Sequence, residues 1–196
     1  MKAIGESLPL AFTTKMVRAH GVHPRDLYSW RYAGQVVELS CGVFRRADAP
    51  PALYPGALAI AYRSPRAIVW CVSAAALHEL TDEMPPAVQI AVPKRSHSPV
   101  IDHPPVTVFR FDETTSELGL SSFEAGPGEM VRIYDAARTV ADLMRFRRRL
   151  GEPIAHAALN RFLASTGAQP ARLLEYADAL GTFGPVRAAL DVASAR

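Results

Sequence analysis

Cysteine is scarce: Cys41 and Cys71 are the two in 196 residues. They belong to no CxxC pair or Cys/His cluster, which excludes a disulfide framework or a thiolate zinc site. Two idle thiols in a reducing compartment are expected instead. No apolar run reaches the roughly 18 residues a spanning helix needs, so a membrane is not expected as a partner. The first residues show no basic region, apolar core and small-residue cleavage site in succession, and the expected location is the cytoplasm. GxSxG, P-loop, GxGxxG and HExxH patterns are also missing, so no enzyme and no cofactor are expected. His78-Glu79 lacks the second histidine of a zincin, and His97 and His103 have no carboxylate or thiol neighbours at ligand spacing. They read as surface histidines, and no metal is expected. A two-metal nuclease wants carboxylates on a strand beside a lysine. Lys94 follows a strand-like run, but Val92 and Pro93 stand where a carboxylate would help.

Lysine is nearly absent too, with three among 22 basic residues. Arginine carries the positive charge, and its fork suits phosphate and guanine. Charged residues are 21% and apolar ones 49%, the balance of a globular chain with a core. The net charge is +3, and its placement is uneven. Residues 1–50 hold seven basic and four acidic residues, whereas the rest of the chain is neutral with fifteen of each. A local cationic excess on a small N-terminal module fits a polyanionic partner.

That module has readable punctuation. Thr13 or Thr14 can cap a helix running to about His20, and Gly21 suits the turn after it. Pro24 fits the first turn of a second helix that stops at Gly34. VVEL and VFRR, around Ser40-Cys41-Gly42, read as a hairpin. Leu27 and Trp30 mark the packed side of the second helix, leaving Arg25, Tyr28, Ser29, Arg31 and Tyr32 around them. A helix-turn-helix places such a second helix in the major groove, where Arg reads guanine and Ser or Tyr meets phosphates or base edges. The hairpin would be a wing bringing Arg45 and Arg46, with Lys15 and Arg18 touching backbone from the first helix. The competing reading is a helical hairpin whose polar side is merely solvated, with Tyr28 and Tyr32 half buried in the core.

Ala49-Pro50-Pro51 reads as a linker, dividing the chain into domains 1–50 and 51–196. Beyond it, Tyr54–Tyr62 reads as helix, Ala67–Val72 as a buried strand, and Ser73 as the cap of a helix over Ala74–Leu80. Val88–Val92, Val106–Phe111, Leu118–Phe123 and Met130–Tyr134 read as strands. Helices are expected near 135–149, 154–166, 170–180 and 185–194, with Gly151, Gly167, Gly181 and Gly184 as stops. The expected fold is α+β: an N-terminal winged helix-turn-helix followed by a mixed α/β domain ending in a helical bundle. Arg138 and Asp142, four apart, would form a local ion pair. Arg145, Arg147, Arg148 and Arg149 cluster near a helix end, where they either complement the helix dipole or dock a partner. Asp112, Glu113, Glu117, Glu124 and Glu129 form a stretch free of basic residues, so Glu117 and Glu124 are candidates for meeting a basic partner protein.

The run FTTKMVRAHGVHPRDLYSWRYAGQVVELSCGVFRR, residues 12–46, resembles the start of AbiEi-family antitoxins. SAAALHEL, residues 73–80, looks like that family's short Ala/Leu/His helix, and IYDAARTVADLMRFRRRLG, residues 133–151, is similar to its Ala-Arg-Thr segment with a basic cluster. The likeness implies a winged module that binds operator repeats, inverted or direct, and represses its own operon. It also implies a C-terminal domain that serves neutralisation of a cognate nucleotidyltransferase-like toxin. Two alternatives stay open: a transcription factor whose C-terminal domain senses a ligand or dimerises, and a small nuclease. The chain departs from the family pattern in having Pro9 before Phe12 and fewer arginines in YSWRY.

Overall fold

A computed structural model describes residue 4 and residues 8–96 and 99–194. The fold is mixed α+β, and the chain divides into two compact units. The first runs up to Pro65 and takes in Pro99–Val106 and Glu124–Val131; the second holds the remaining chain.

In the first unit, strand β1 (Ala11–Thr13) leads into helix α1 (Thr14–Ala19), then α2 (Pro24–Tyr32) and strands β2 (Val36–Ser40) and β3 (Val43–Arg46). The strands form an antiparallel sheet in the order β1-β3-β2, with Phe12 opposite Phe44 and Val37 opposite Arg45. Leu8, Phe12, Val17, Val22, Leu27, Trp30, Val36 and Phe44 make one buried cluster. Helix α3 (Pro55–Arg63) follows, one residue displaced from the sequence expectation. Strand β1 was not expected at all: three residues are too few to show alternation, and its pairing with β3 is set by tertiary contact. Ala49-Pro50-Pro51, expected to link two domains, lies within this unit. Its Pro50 carbonyl accepts a hydrogen bond from Arg45 Nη2 at 2.6 Å.

The second unit begins with strand β4 (Ile68–Val69) and helix α4 (Cys71–Leu77). The expected strand Ala67–Val72 is therefore cut to two residues, and the helix starts before Ser73. The Ser73 hydroxyl is occupied elsewhere, accepting from the Gln89 backbone N–H at 2.9 Å. Then come strands β5 (Val88–Pro93) and β6 (Val106–Phe111), the short helix α5 (Glu113–Ser116), and strands β7 (Leu120–Gly126) and β8 (Glu129–Tyr134), whose Glu124–Gly126 and Glu129–Val131 portions are counted in the first unit. The sheet order is β6-β5-β4-β8-β7, with β4 antiparallel to β5 and parallel to β8. Helices α6 (Ala136–Leu150), α7 (Glu152–Ala164), α8 (Pro170–Ala179) and α9 (Phe183–Ser194) complete the chain. Each lies within about two residues of its expected span, and Gly184 sits in the first turn of α9 rather than stopping a helix.

Helix α6 carries the centre of this unit. Asp135 caps it, accepting from the Arg138 N–H at 2.8 Å. The Arg138–Asp142 pair forms as expected, but it is wholly buried, with Nε and Oδ2 2.9 Å apart. Asp142 Oδ2 also accepts from Trp70 Nε1 at 2.8 Å, and Arg138 Nη1 donates to the carbonyls of Thr115 and Leu118. Burial pushes the Asp142 carboxyl up, against the pull of Arg138 and the Trp70 N–H. The guanidinium lies 4.3 Å from the Tyr134 ring centre. Gly119, at φ +72°, passes so close that a Cβ there would stand 2.6 Å from the Arg138 Cβ. The pair thus pins the α5–β7 connection and Trp70 to one helix.

Candidate nucleic-acid interface

Helix α1 starts where Thr13 Oγ1 accepts from the Met16 N–H at 3.2 Å. It ends at His20, and Gly21 takes a left-handed φ of 69°. Helix α2 opens on His23, whose Nδ1 accepts from the Arg25 N–H at 3.1 Å, with Pro24 in the first turn. Gly34, at φ 67°, closes it. Both helices are short, so their angle is fixed by what they bury: Val17, Val22, Leu27 and Trp30 all enter the same cluster.

Burying Leu27 and Trp30 decides which residues of α2 face out. At 100° per residue, positions 25, 28, 29 and 32 fall on one arc opposite that pair. Tyr28 is 66% exposed and Tyr32 97%, so neither is part of the core. Arg25 is exposed and Ser29 partly so. Lys15 and Arg18 on α1 are exposed as well. Arg31 lies towards the edge of the arc and is engaged, its Nη1 2.9 Å from Glu38 Oε2 on β2.

The strand arginines differ from expectation. Arg45, expected to reach phosphate, is buried: its Nε and Nη2 both lie 2.9 Å from Glu129 Oε2. Its place in β3 points it to the covered face of the strand, and a guanidinium removed from water requires a carboxylate there. Arg46 is held in a two-pronged contact with Asp48, at 3.0 and 2.8 Å, which pulls the Asp48 carboxyl below its ordinary range. The unpaired cations of the face, among the described residues, are therefore Lys15, Arg18 and Arg25, beside two bare tyrosine rings. Sequence reading missed the neutralising roles of Glu38 and Asp48. For Asp48 a signal existed in its position, two residues from Arg46, whereas Glu38 meets Arg31 across the turn between α2 and β2.

The acidic stretch is not one patch. Glu129 is buried against Arg45. Glu124 Oε1 accepts from the Gly128 N–H at 2.7 Å and so closes its own hairpin turn. Glu117 pairs with Arg132 at 3.2 Å. Of the arginine cluster, Arg147 turns back onto the Met144 carbonyl and lies 3.7 Å from Glu152, while Arg145, Arg148 and Arg149 are exposed. His78 is half-buried, its Nε2 2.7 Å from the Tyr134 carbonyl. His103 is exposed, and His97 lies outside the described residues. Cys41 is exposed and Cys71 buried, where desolvation raises the Cys71 thiol far above its ordinary range. No cluster of three metal-ligating side chains occurs among the described residues, and none of their helices is long and apolar enough to cross a membrane.

No family model matches the chain, and no curated protein matches it. Among solved structures it is similar to the Rv2827c protein from Mycobacterium tuberculosis, at 17% identity and a TM-score of 0.45, over 93% of this chain and 76% of that one.

Proposed function

We propose that the first unit is a winged helix-turn-helix that binds duplex operator DNA, and that the protein is an antitoxin and autorepressor. In this reading α1 and α2 are the two helices of the motif, and the β2–β3 hairpin is the wing. The observation that carries it is the outer arc of α2: Arg25, Tyr28 and Tyr32 stand in solvent opposite the buried Leu27 and Trp30. Large aromatic rings are costly to leave in water, and two on one arc beside unpaired cations match a surface that meets bases and phosphates. Arg25, in the first turn, has the reach for guanine, and the tyrosines contact thymine methyls or phosphates. Lys15 and Arg18 grip the backbone of the same duplex. The larger unit, closing in helices α6–α9, serves neutralisation of a nucleotidyltransferase-like toxin and does no covalent chemistry itself.

Two experiments test this. A gel shift on the duplex upstream of the protein's own gene should show retardation, lost in Arg25→Ala/Tyr28→Ala/Tyr32→Ala. Co-expression with an adjacent nucleotidyltransferase-like gene product should restore growth. A triple variant that is folded and still binds would overturn the DNA face, and toxicity undiminished by co-expression would overturn the antitoxin role.

A further inference from the structure

The first unit carries a groove of about 770 Å³, within the size range of small-molecule sites. Leu10 beside β1, Met16 of α1, Leu58 of α3 and Met130 of β8 give it apolar walls. Met130 is 54% exposed, and the two thioethers adapt to what enters. Among the described lining residues, three side chains carry oxygen: Thr13, Tyr62 and Glu129. Thr13 is committed to capping α1.

Glu129 and Tyr62 keep hydrogen-bonding capacity to spare. The Glu129 side chain is 7% exposed, and both Arg45 contacts fall on its Oε2. Its Oε1 is buried with no hydrogen-bond partner among the described residues. A buried carboxylate oxygen without a donor is costly, and a bound donor relieves it. The Tyr62 hydroxyl likewise makes no hydrogen bond among the described residues. Burial raises its pKa and the Glu129 charge raises it further, so the phenol holds its proton and is free to donate. Arg45 already balances the Glu129 charge, so a cation brought into the groove would lack a counter-charge.

We infer that this groove binds a small, neutral, largely apolar molecule bearing the cyclic amide of a lactam, whose N–H donates to Glu129 Oε1 and whose carbonyl accepts from the Tyr62 hydroxyl. A lactam sets donor and acceptor side by side on one edge, which suits an acceptor and a donor lining one groove. The apolar walls take the rest of the molecule, and the polar pair fixes its orientation. The inference goes beyond the function proposed above and stands apart from the outward arc of α2, so it holds whatever the two helices bind.

The test follows the methionine methyl resonances of the full-length chain, labelled with carbon-13, during titration with 2-quinolinone, a fused aromatic lactam. Met16 and Met130 should shift saturably, while Met84 and Met144, both in the second unit, stay in place. The N-methyl analogue keeps the ring and the carbonyl but lacks the donor, and should bind at least about tenfold more weakly. Tyr62→Phe should weaken 2-quinolinone about threefold or more while leaving the N–H dependence intact. The comparison of the two quinolinones needs only the parent chain, so it reads the Glu129 contact without a variant that might not fold. The inference fails if Met16 and Met130 do not move at millimolar 2-quinolinone, or if Met84 moves as they do. It also fails if the N-methyl analogue binds equally well, or if the cation 1-naphthylmethylammonium binds more tightly than the lactam.

Discussion

Arg25→Ala should reduce both the affinity for operator DNA and the steepness of its salt dependence, by an amount the ion pairing fixes. Binding to duplex DNA releases counterions, and log K falls with log salt by about 0.9 for each phosphate neutralised. Seven basic residues lie in the first fifty, but Arg45 is buried on Glu129 while Arg31 and Arg46 are held by Glu38 and Asp48. With Lys15, Arg18 and Arg25 as the contacts, the expected slope is about −2.7 per bound copy. A fourfold rise in salt then lowers affinity about 40-fold per copy, and about 12-fold for Arg25→Ala. Arg46→Ala should leave the slope nearly unchanged, because its charge is already matched by Asp48. The assay is a fluorescence-anisotropy titration of the upstream duplex at several salt concentrations, with circular dichroism to check folding. An Arg25→Ala slope equal to the parent's, or an Arg46→Ala slope shifted as much as Arg25→Ala, would refute the assignment of free and engaged cations.

Arg45→Ala should act through stability rather than through the salt slope. It leaves the Glu129 carboxylate buried without its partner, and urea unfolding should show a loss of about 3 kcal/mol, with DNA affinity retained in whatever fraction stays folded. Alkaline pH should destabilise the second unit through Tyr134, whose buried hydroxyl donates to the Ser116 carbonyl and whose pKa is pushed up to about 12, chiefly by desolvation. Between pH 10 and 12 the unfolded tyrosine gives up its proton while the folded one keeps it, so stability falls as pH rises through that window, by about 2–3 kcal/mol in all. Tyr134→Phe should flatten this part of the urea-midpoint profile. Under native conditions a thiol reagent should label Cys41 rapidly and Cys71 only on unfolding. Equal native rates at the two cysteines would contradict the burial of Cys71.

Punctuation in the sequence located most helices because capping and stopping are local chemistry. Pro24, Gly21, Gly34 and Asp135 act through backbone within a turn of themselves, and α2 and α6 start or end where they stand. The outward arc of α2 was readable for the same reason: Leu27 and Trp30 fix one side, and helical geometry fixes the other. What failed was everything decided by a residue far along the chain. Arg45 looked like a wing cation, and its partner Glu129, 84 positions away, looked like part of a solvated acidic patch. Each is polar alone, and each is buried because the other is. Arg138 and Asp142 show the converse, since a spacing of four announced their contact but not its burial. That burial follows from Trp70, Thr115 and Leu118, whose polar groups converge on the pair from other segments. Free, exposed side chains were accordingly overcounted in the strands, whereas on α2 Arg25, Tyr28 and Tyr32 face out as the helical spacing predicts and Arg31 alone is engaged. Helical residues get their direction from neighbours three and four away, whereas arginines on a hairpin get theirs from whatever the rest of the chain lays across the sheet.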